Sequence, residues 1–315
     1  MQTQSDQSRA GSTNGLSRYI NTVTNNEKIV ALLFILPSLI GFIAFYAIPA
    51  VRSLLISFDK WNLLTPAQYV GLQNYQELFS DKRFWASLIT TISYVAISIP
   101  IQTALAVLIA VVMDRIYSSA FLRGILILPW LAPSVVVALL WLWILDPSLG
   151  VVNSALQTFG LPKQPFLGAP EQSLLSIAAI NIWRYAGYMA ILVFLGLRAI
   201  PNTLYEVAEI DGGNDWQQFW GISFPLLRPV LLLVLVVSII NSFQVFDTIA
   251  VTTGGGPAGS TRVIIYYIYE QLFAGGLNMG LATAASVVLF LILITVTIIQ
   301  IRFLRANQSD LADYR

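Results

Sequence analysis

Four acidic and three aromatic residues stand close together in one polar stretch of the chain, where they could bind a partner protein. The carboxylates are Glu206, Glu209, Asp211 and Asp215, and the rings are Trp216, Phe219 and Trp220. Carboxylates can pair with basic groups, and aromatic side chains that fill a pocket are typical hot spots of protein interfaces. This pattern predicts a docking surface. Two simpler interpretations stay open: Glu206 could cap its own helix, and the rings could belong to an aromatic belt beside a membrane.

A glycine-rich stretch at 254–261 has the spacing of loops that bind phosphate groups. Ser260 stands where a P-loop has its lysine, and no strand–helix unit surrounds the stretch. We therefore expect no nucleotide to bind there. The sequence also contains no Cys and no His, which excludes disulfides, thiol chemistry, Cys-ligated metals and histidine proton shuttles. We expect this chain to catalyse no covalent step.

The polar stretch belongs to a chain with the composition of a membrane protein. Of its 315 residues, 57% are hydrophobic and 10% are charged, whereas about a quarter of an ordinary soluble domain is charged. Several apolar stretches reach the length of about twenty residues that is needed to cross a bilayer. They lie at about 29–50, 86–112, 125–145, 173–197, 229–251 and 281–303. The sequence predicts an all-α polytopic membrane protein with six transmembrane helices.

The distribution of Lys and Arg predicts how these spans are oriented. More of these residues flank the ends that we assign to the inside than the opposite ends, although the outer loop at about 51–85 contains four of them. This assignment places both termini and the loop at 203–225 in the cytoplasm. We therefore divide the chain into a polar tail at 1–28, a transmembrane domain at 29–304 and a C-terminal tail at 305–315. In the outer loop, apolar residues at helical spacing predict a short interfacial helix over 71–79.

Local signals predict two short helices in the loop at 203–225. Thr203 and Glu206 have the spacing of a capping box, and Gly212 with Gly213 predicts the end of the first helix. A second helix would then run to position 224, with Asn214 or Asp215 as its cap.

Pro225 is expected to disfavour helical geometry at the residue before it, and so to mark the entry to span five. Two short helices around a glycine turn would form a compact protrusion.

The spacing of residues in this loop resembles the "EAA" coupling loop of ATP-binding-cassette importer permeases. The residues that carry the resemblance are Glu206, Ala208, Asp211, Gly212, Ile222 and Pro225. Val207 replaces the usual Ala and Phe224 the usual Leu, and both changes keep an apolar residue. The resemblance implies that this loop seats in a groove of a separate ATPase subunit, and that these residues couple the two subunits.

Further motifs narrow the resemblance to the carbohydrate-uptake class of these permeases, similar to the maltose and glycerol-phosphate systems. They include Gly71, Asn74, Tyr75, Phe79, Leu128, Pro129, Trp130, Pro133, Trp141, Asp146, Pro147 and Gly150, and the runs at 181–183, 241–247 and 254–257. The resemblance implies a MetI-like fold. It also implies a bacterial inner-membrane complex with a second homologous permease, two ATPase subunits and an extracytoplasmic solute-binding protein.

The resemblance also implies where ATP is used. No cofactor is expected on this chain, and ATP with Mg is expected on the partner ATPase subunits; no nucleic-acid partner is expected.

Neutral sugars, oligosaccharides or glycosylated polyols are the preferred solutes, with glycerol phosphate as an alternative. A rival hypothesis is an ion-coupled carrier or channel that acts without an ATPase. Such a carrier would need titratable residues near the middle of the membrane, whereas most acidic residues here lie in loops.

Polar residues in span five predict a path for the solute. Asn241, Gln244 and Thr248 would share one face of a continuous helix, and Asn241 would lie about 18 Å along it, near the middle of the membrane. Asn241 and Gln244 are candidates for binding sugar hydroxyls, as is Asn181 in span four, with Phe243 or Trp183 offering a ring face. The alternative is that such residues only bond neighbouring helices.

Asp247 lies nearer the outer end of span five. There it could stabilise the exit of the chain into the next loop, or pair with a cation such as Arg184 of span four.

Overall fold

A computed structural model describes residues 27–115, 120–274 and 277–305 of the chain. Apart from residues 27, 28 and 305, the tails predicted at 1–28 and 305–315 lie outside the described residues. Helices make up most of the described part, as the sequence predicts, and the elements are numbered below in chain order.

The first helical segment, which ends at Ile56, is a unit by itself. It consists of α1 (Glu27–Phe42), a π-helical turn (Ile43–Ala47) and α2 (Ile48–Ile56). From Val30 to Ile56 it is long and apolar enough to cross a bilayer. The π turn ends two residues before Pro49, which has no N–H to donate to the preceding turn, and a locally widened turn accommodates such a residue.

The second unit begins at Ser57 with a small cap of strands and one helix. Strands β1 (Asp59–Lys60) and β2 (Gln68–Tyr69) pair in antiparallel fashion, and α3 (Gln73–Ser80) follows them. The side chain of Asn74 is buried and donates to the carbonyl oxygens of Ser57 (2.8 Å) and Asp59 (3.0 Å). The helix predicted over 71–79 is thus confirmed.

The remaining elements form the membrane-spanning part of this unit and the loops between its spans. In order they are α4 (Lys82–Arg115), α5 (Ala120–Leu131), α6 (Ser134–Ile144), α7 (Val151–Thr158), a 3-10 turn (Phe166–Gly168) and α8 (Pro170–Arg198). They continue as α9 (Asn202–Ile210), α10 (Asp215–Gln218), a π turn (Phe219–Ser223), α11 (Phe224–Leu226), α12 (Arg228–Phe243) and α13 (Asp247–Thr252). The last are α14 (Ile264–Tyr269), a π turn (Glu270–Ala274) and α15 (Met279–Arg305).

Within the described residues, five helical segments are long and apolar enough to span a bilayer, and one bent pair of helices passes the same test when the two are taken together. The five are Val30–Ile56, Lys82–Arg115, Pro170–Arg198, Arg228–Thr252 and Met279–Arg302. The bent pair is α5 with α6, whose axes meet at 92°. The apolar stretch predicted as a span at about 125–145 therefore consists of two helices. The break falls between Leu131 and Ser134, at Pro133, which offers no N–H and disfavours helical geometry in the residue before it.

Within the second unit, the spans pack around α4 and α8, its two longest helices. One buried cluster joins the predicted cytoplasmic halves of α4, α8 and α12, and a second joins α14 and α15 to the other end of α4. Close approach of α5 to α8 depends on Gly187, because a Cβ atom there would lie 1.9 Å from the carbonyl oxygen of Leu126. Small residues at such contacts let membrane helices approach closely.

We predict that Gly187→Ala destabilises the protein by about 1–3 kcal/mol, because the added methyl group must displace the backbone of α5. The measurement is the midpoint of thermal unfolding in detergent. Gly124→Ala is the matched control, since a Cβ atom at Gly124 would meet no atom within 4 Å. Equal midpoints for the two variants would contradict the packing described here.

Candidate functional site

Residues 202–226, the acidic loop, form two short helical segments, as the sequence predicts. The first, α9, begins at Asn202, and Pro201 occupies its N-cap position without a side-chain cap. The predicted capping box of Thr203 and Glu206 is therefore wrong. Thr203 lies inside the first helical turn, and only the residue preceding that turn can act as the cap.

The first helix ends in a glycine turn, as expected. Gly212 has φ = +81°, its N–H donates to the carbonyl oxygen of Glu209 (3.0 Å), and the N–H of Gly213 donates to that of Ala208 (2.7 Å). This pair of bonds is the Schellman motif, which requires a left-handed residue at the position of Gly212. Gly213 is also constrained, because a Cβ atom there would lie 2.9 Å from the oxygen of Ala208.

The second helical segment starts with a capping box at Asn214. The Asn214 side chain accepts from the Gln217 N–H (3.0 Å), and the Gln217 side chain accepts from the Asn214 N–H (2.9 Å). This confirms Asn214 as the cap. The expectation that Pro225 disrupts helical geometry at Phe224 is wrong, since Phe224 has φ = −63° and ψ = −44°. The preceding π turn accommodates the proline, which is the same solution as before Pro49.

One face of the acidic loop is attached to the membrane domain. Leu204, Tyr205, Ile222 and Phe224 pack against the buried cluster of α4, α8 and α12. The hydroxyl groups of Tyr205 and Ser223 lie 2.8 Å apart and tie the two helical segments together. The loop is therefore a firmly seated element and not a flexible linker.

Away from these anchoring residues, the acidic loop exposes carboxylates and large apolar side chains. Ile210 is 85% exposed and Trp216 70% exposed, and the rings of Trp216 and Trp220 are 5.6 Å apart in a T-shaped arrangement. Within the part of the chain that the structure describes, Glu206, Glu209 and Asp211 are exposed and form no ion pair. Of the predicted coupling residues, Glu206, Asp211 and Gly212 lie on the exposed surface, whereas Ala208, Ile222 and Pro225 are half-buried.

A polar cavity of about 280 Å³ lies where the broken spans meet. It is lined by Tyr94, Gln102, Ser134, Asn181, Arg184, Tyr185, Met189, Ser238, Asn241, Ser242, Gln244, Val245, Phe246, Asp247 and Thr248. These residues come from α4, α6, α8, α12, α13 and the break between α12 and α13. Transporters often place their solute sites at such helix breaks, where freed backbone groups and polar side chains meet.

Two polar contacts hold the break of the third span beside this cavity. Nη2 of Arg184 donates to the carbonyl oxygen of Ala132 (3.1 Å), and the hydroxyl of Ser134 donates to the Asp247 carboxylate. Asp247 and Arg184 do not form the ion pair that was one of the two expectations. Arg184 instead satisfies a carbonyl oxygen just beyond the end of α5, which has no helical partner, and Asp247 accepts from Ser134 at the start of α6.

Three of the predicted solute-path residues line the cavity, and two do not. Asn241 and Gln244 are exposed and line the cavity, and buried Asn181 lines it while accepting from Thr248 (3.0 Å). Phe243 is buried in the cluster of α14 and α15, and Trp183 packs edge-on against Trp141 with 5.4 Å between ring centroids. Neither ring lines this cavity.

The predicted continuous face of span five is also altered, because α12 ends at Phe243 and α13 begins only at Asp247. Sequence reasoning missed Ser134, Tyr185 and Ser242 as lining residues. Ser134 could have been found from its place directly after Pro133 in an apolar run.

The glycine-rich stretch joins α13 to α14 and is closed by its own hydrogen bonds. The N–H groups of Gly254, Gly256, Ser260 and Arg262 all donate to nearby carbonyl oxygens, and the hydroxyl of Thr261 donates to Gly256 (2.6 Å). A phosphate cradle needs such amides free to point at the anion. Among the described residues there is also no group of three or more His, Cys, Asp or Glu side chains that could hold a metal ion.

Comparison with known families gives one match over most of the chain. The family described as binding-protein-dependent transport system inner membrane component matches residues 102–307. The chain is 32% identical over 278 residues to the trehalose/maltose transport system permease protein MalF of Thermococcus litoralis, which covers 88% of this chain and 94% of the relative. It is 33% identical over 289 residues to the sn-glycerol-3-phosphate transport system permease protein UgpA of Agrobacterium fabrum, covering 90% of this chain and 97% of the relative.

A solved structure is similar over nearly the same length. It is the bacterial alginate ABC transporter in complex with an alginate pentasaccharide-bound periplasmic protein, with a TM-score of 0.79 and 25% identity. The match covers 92% of this chain and 98% of that chain.

We predict that cysteines introduced at Asn241 or Gln244 react with a water-soluble thiol reagent, because both positions face the polar cavity. The natural chain contains no Cys, so single-cysteine variants have no background. Phe243→Cys and Ala285→Cys are the buried controls, and we expect labelling at the cavity positions to be at least about tenfold faster, as thiol reactivity follows access to solvent. Similar rates at positions 241, 243 and 285 would show that no water-filled path reaches Asn241.

Proposed function

Because the chain belongs to the family of inner-membrane components of binding-protein-dependent transport systems, we propose that it is a permease subunit of an ATP-driven importer of sugars or sugar-like solutes. In this proposal the spans form the solute path, and the acidic loop transmits the motion of separate ATPase subunits. The observation that carries the proposal is the acidic loop itself, which packs on the membrane domain through Leu204, Tyr205, Ile222 and Phe224 and exposes carboxylates and large apolar side chains elsewhere.

The exposed face of the acidic loop suits an ATPase partner. Ile210, Trp216 and Trp220 offer apolar area that a pocket could bury, and Glu206 and Asp211 offer unpaired charge to basic groups at its rim. The Schellman turn at Gly212 fixes the angle between the two helical segments, and thereby the shape that enters the partner. Ala208, Ile222 and Pro225 support that shape from the half-buried side.

The cavity suits a solute rich in hydroxyl groups. Asn241 and Gln244 present amide groups that both donate and accept hydrogen bonds, as sugar hydroxyls require. Asn181 bonds Thr248 and supports the wall of the cavity. One cation, Arg184, and one carboxylate, Asp247, face the same space, so the charge of the lining is balanced and favours neutral sugars and glycosides. In the proposed transport cycle, the cavity opens alternately to the two sides of the membrane.

The proposed complex contains a second homologous permease, two ATPase subunits that bind ATP with Mg, and an extracytoplasmic solute-binding protein. The chain lies in the inner (plasma) membrane of a bacterial cell, with both termini and the acidic loop in the cytoplasm. It performs no covalent chemistry. Its role is to bind and release the solute and to transmit the movement of the ATPase subunits.

The direct test is purification of the tagged chain with its natural partners, followed by reconstitution in liposomes with the binding protein and a panel of solutes. We expect an ATPase and a second permease to co-purify in fixed ratio. We also expect one solute to raise ATP hydrolysis and to enter only when ATP is present. A chain that purifies alone and moves solute down an ion gradient would instead establish the rival hypothesis of an ion-coupled carrier.

We predict that Gly212→Val abolishes most ATP-driven uptake while the chain is still inserted at its normal level. The left-handed backbone at φ = +81° costs a side-chain-bearing residue roughly 1–2 kcal/mol, so the turn must open and the acidic loop loses its shape. The measurement is uptake per complex, together with the amount of ATPase that co-purifies.

Gly160→Val is the matched control for this variant. Gly160 has φ = +73° and, like Gly212, has open space around the position of a Cβ atom. It follows α7, in a loop predicted to lie on the other side of the membrane, so the same backbone strain should leave ATPase binding unchanged. Equal uptake by the Gly212 and Gly160 variants would count against a coupling role for the acidic loop.

A further inference from the structure

Two ion pairs connect three elements at the end of the bundle that carries the acidic loop. Nη1 of Arg115 lies 2.7 Å from Oδ2 of Asp215, and Nε of Arg198 lies 2.8 Å from Oδ1 of Asp114. Asp114 and Arg115 are consecutive residues at the end of α4, Arg198 ends α8, and Asp215 begins α10. We name these four residues the ion-pair bridge.

The ion-pair bridge can join three elements because neighbouring residues on a helix point in different directions. Successive side chains are about 100° apart around the helix axis, so Asp114 and Arg115 reach different partners. Arg115 and Arg198 are cations at helix C-termini, and Asp215 is an anion at a helix N-terminus, so three of the four charges also match the helix dipoles. The end of α4 is thus bound to α8 on one side and to the acidic loop on the other.

The acidic loop and α4 are not neighbours along the chain, so the chain itself does not connect them. The acidic loop is joined directly to α8 at its start and to α12 at its end. Beside α4 there is instead an apolar groove of about 870 Å³, lined by α4 residues on one side and by Trp216, Phe219 and Trp220 on the other. Arg115 and Asp215 also line this groove, so their ion pair spans the space between α4 and the second helical segment.

We propose that Arg115 and Asp215 are positioning residues that fix the second helical segment of the acidic loop to the end of α4. Asp114 and Arg198 hold that end of α4 beside α8. Movement of the loop then reaches span two as well as spans four and five, so that three spans move together when the ATPases close. The coupling part of this inference rests on the proposed function, whereas the positioning part concerns the geometry of this chain alone.

Because the Arg115–Asp215 pair is exposed, we expect its loss to affect coupling more than folding. The side chains of Arg115 and Asp215 are 54% and 72% exposed, and such surface pairs contribute little to folding. We expect charge reversal to lower the solute transported per ATP hydrolysed by about fivefold, which corresponds to ~1 kcal/mol of positioning free energy. The complex should still assemble, because the apolar attachment of the loop is unchanged.

The test uses the full reconstituted complex with its binding protein and the solute that stimulates it. Asp215→Arg and Arg115→Asp are each expected to lower the transport ratio, and the double variant, which restores an ion pair of opposite sense, is expected to return it to within about twofold of the natural complex. Arg83→Glu is the control, since the side chain of Arg83 is 64% exposed, pairs with Asp81 at the other end of α4 and should not affect coupling.

A distance measurement tests the positioning part independently of transport. Spin labels at Val112 of α4 and Trp216 of α10, both exposed, should give a narrow distance distribution that broadens in Asp215→Arg and narrows again in the double variant. An unchanged distribution in Asp215→Arg overturns the positioning role, and so does a double variant that fails to recover. Absence of ATP-driven uptake by the unaltered complex overturns the proposed function instead.

Discussion

Every backbone polar group inside a bilayer must find a partner within the protein, and the architecture of this chain depends on how its two broken spans meet that requirement. At Pro133 the third span bends by 92° and frees the carbonyl oxygen of Ala132, which Arg184 of the fourth span satisfies. Ser134, on the other side of the break, donates to Asp247, where the fifth span resumes after its own break. Because polar side chains of both broken spans and of the fourth span make their contacts at the same place, a polar cavity forms there.

The acidic loop, which is predicted to lie in the cytoplasm, is subject to a different constraint. There the backbone groups can be satisfied by water, so a stable shape requires local devices. The Schellman turn at Gly212 and the capping box at Asn214 define the two helical segments, and apolar residues anchor them to the core of the spans. Shape and attachment together give the loop the defined structure that the proposed coupling role requires, which a flexible connection of the same length would lack.

Most of the loop could be predicted from sequence because its signals are local: a glycine that needs positive φ and a cap three residues before a glutamine. Outside the loop, the errors arose where distant residues decide. Pro37, Pro100 and Pro129 remain inside helices whereas Pro133 ends one, and what distinguishes Pro133 is the presence of Arg184 and Asp247, which lie far along the chain. The burial of Phe243 likewise depends on α14 and α15, which no local pattern around span five reveals.

The central claim is that the exposed face of the acidic loop seats on an ATPase subunit, and site-specific photo-crosslinking tests it most directly. A photoreactive residue would replace Ile210, which is 85% exposed, and, as a control, Phe159, which is 81% exposed beside the predicted outer loop. In the natural complex we expect an adduct with the ATPase subunit from position 210 and none from position 159. If position 210 yields only lipid adducts in a complex that retains its ATPase, the acidic loop does not dock and the account is contradicted.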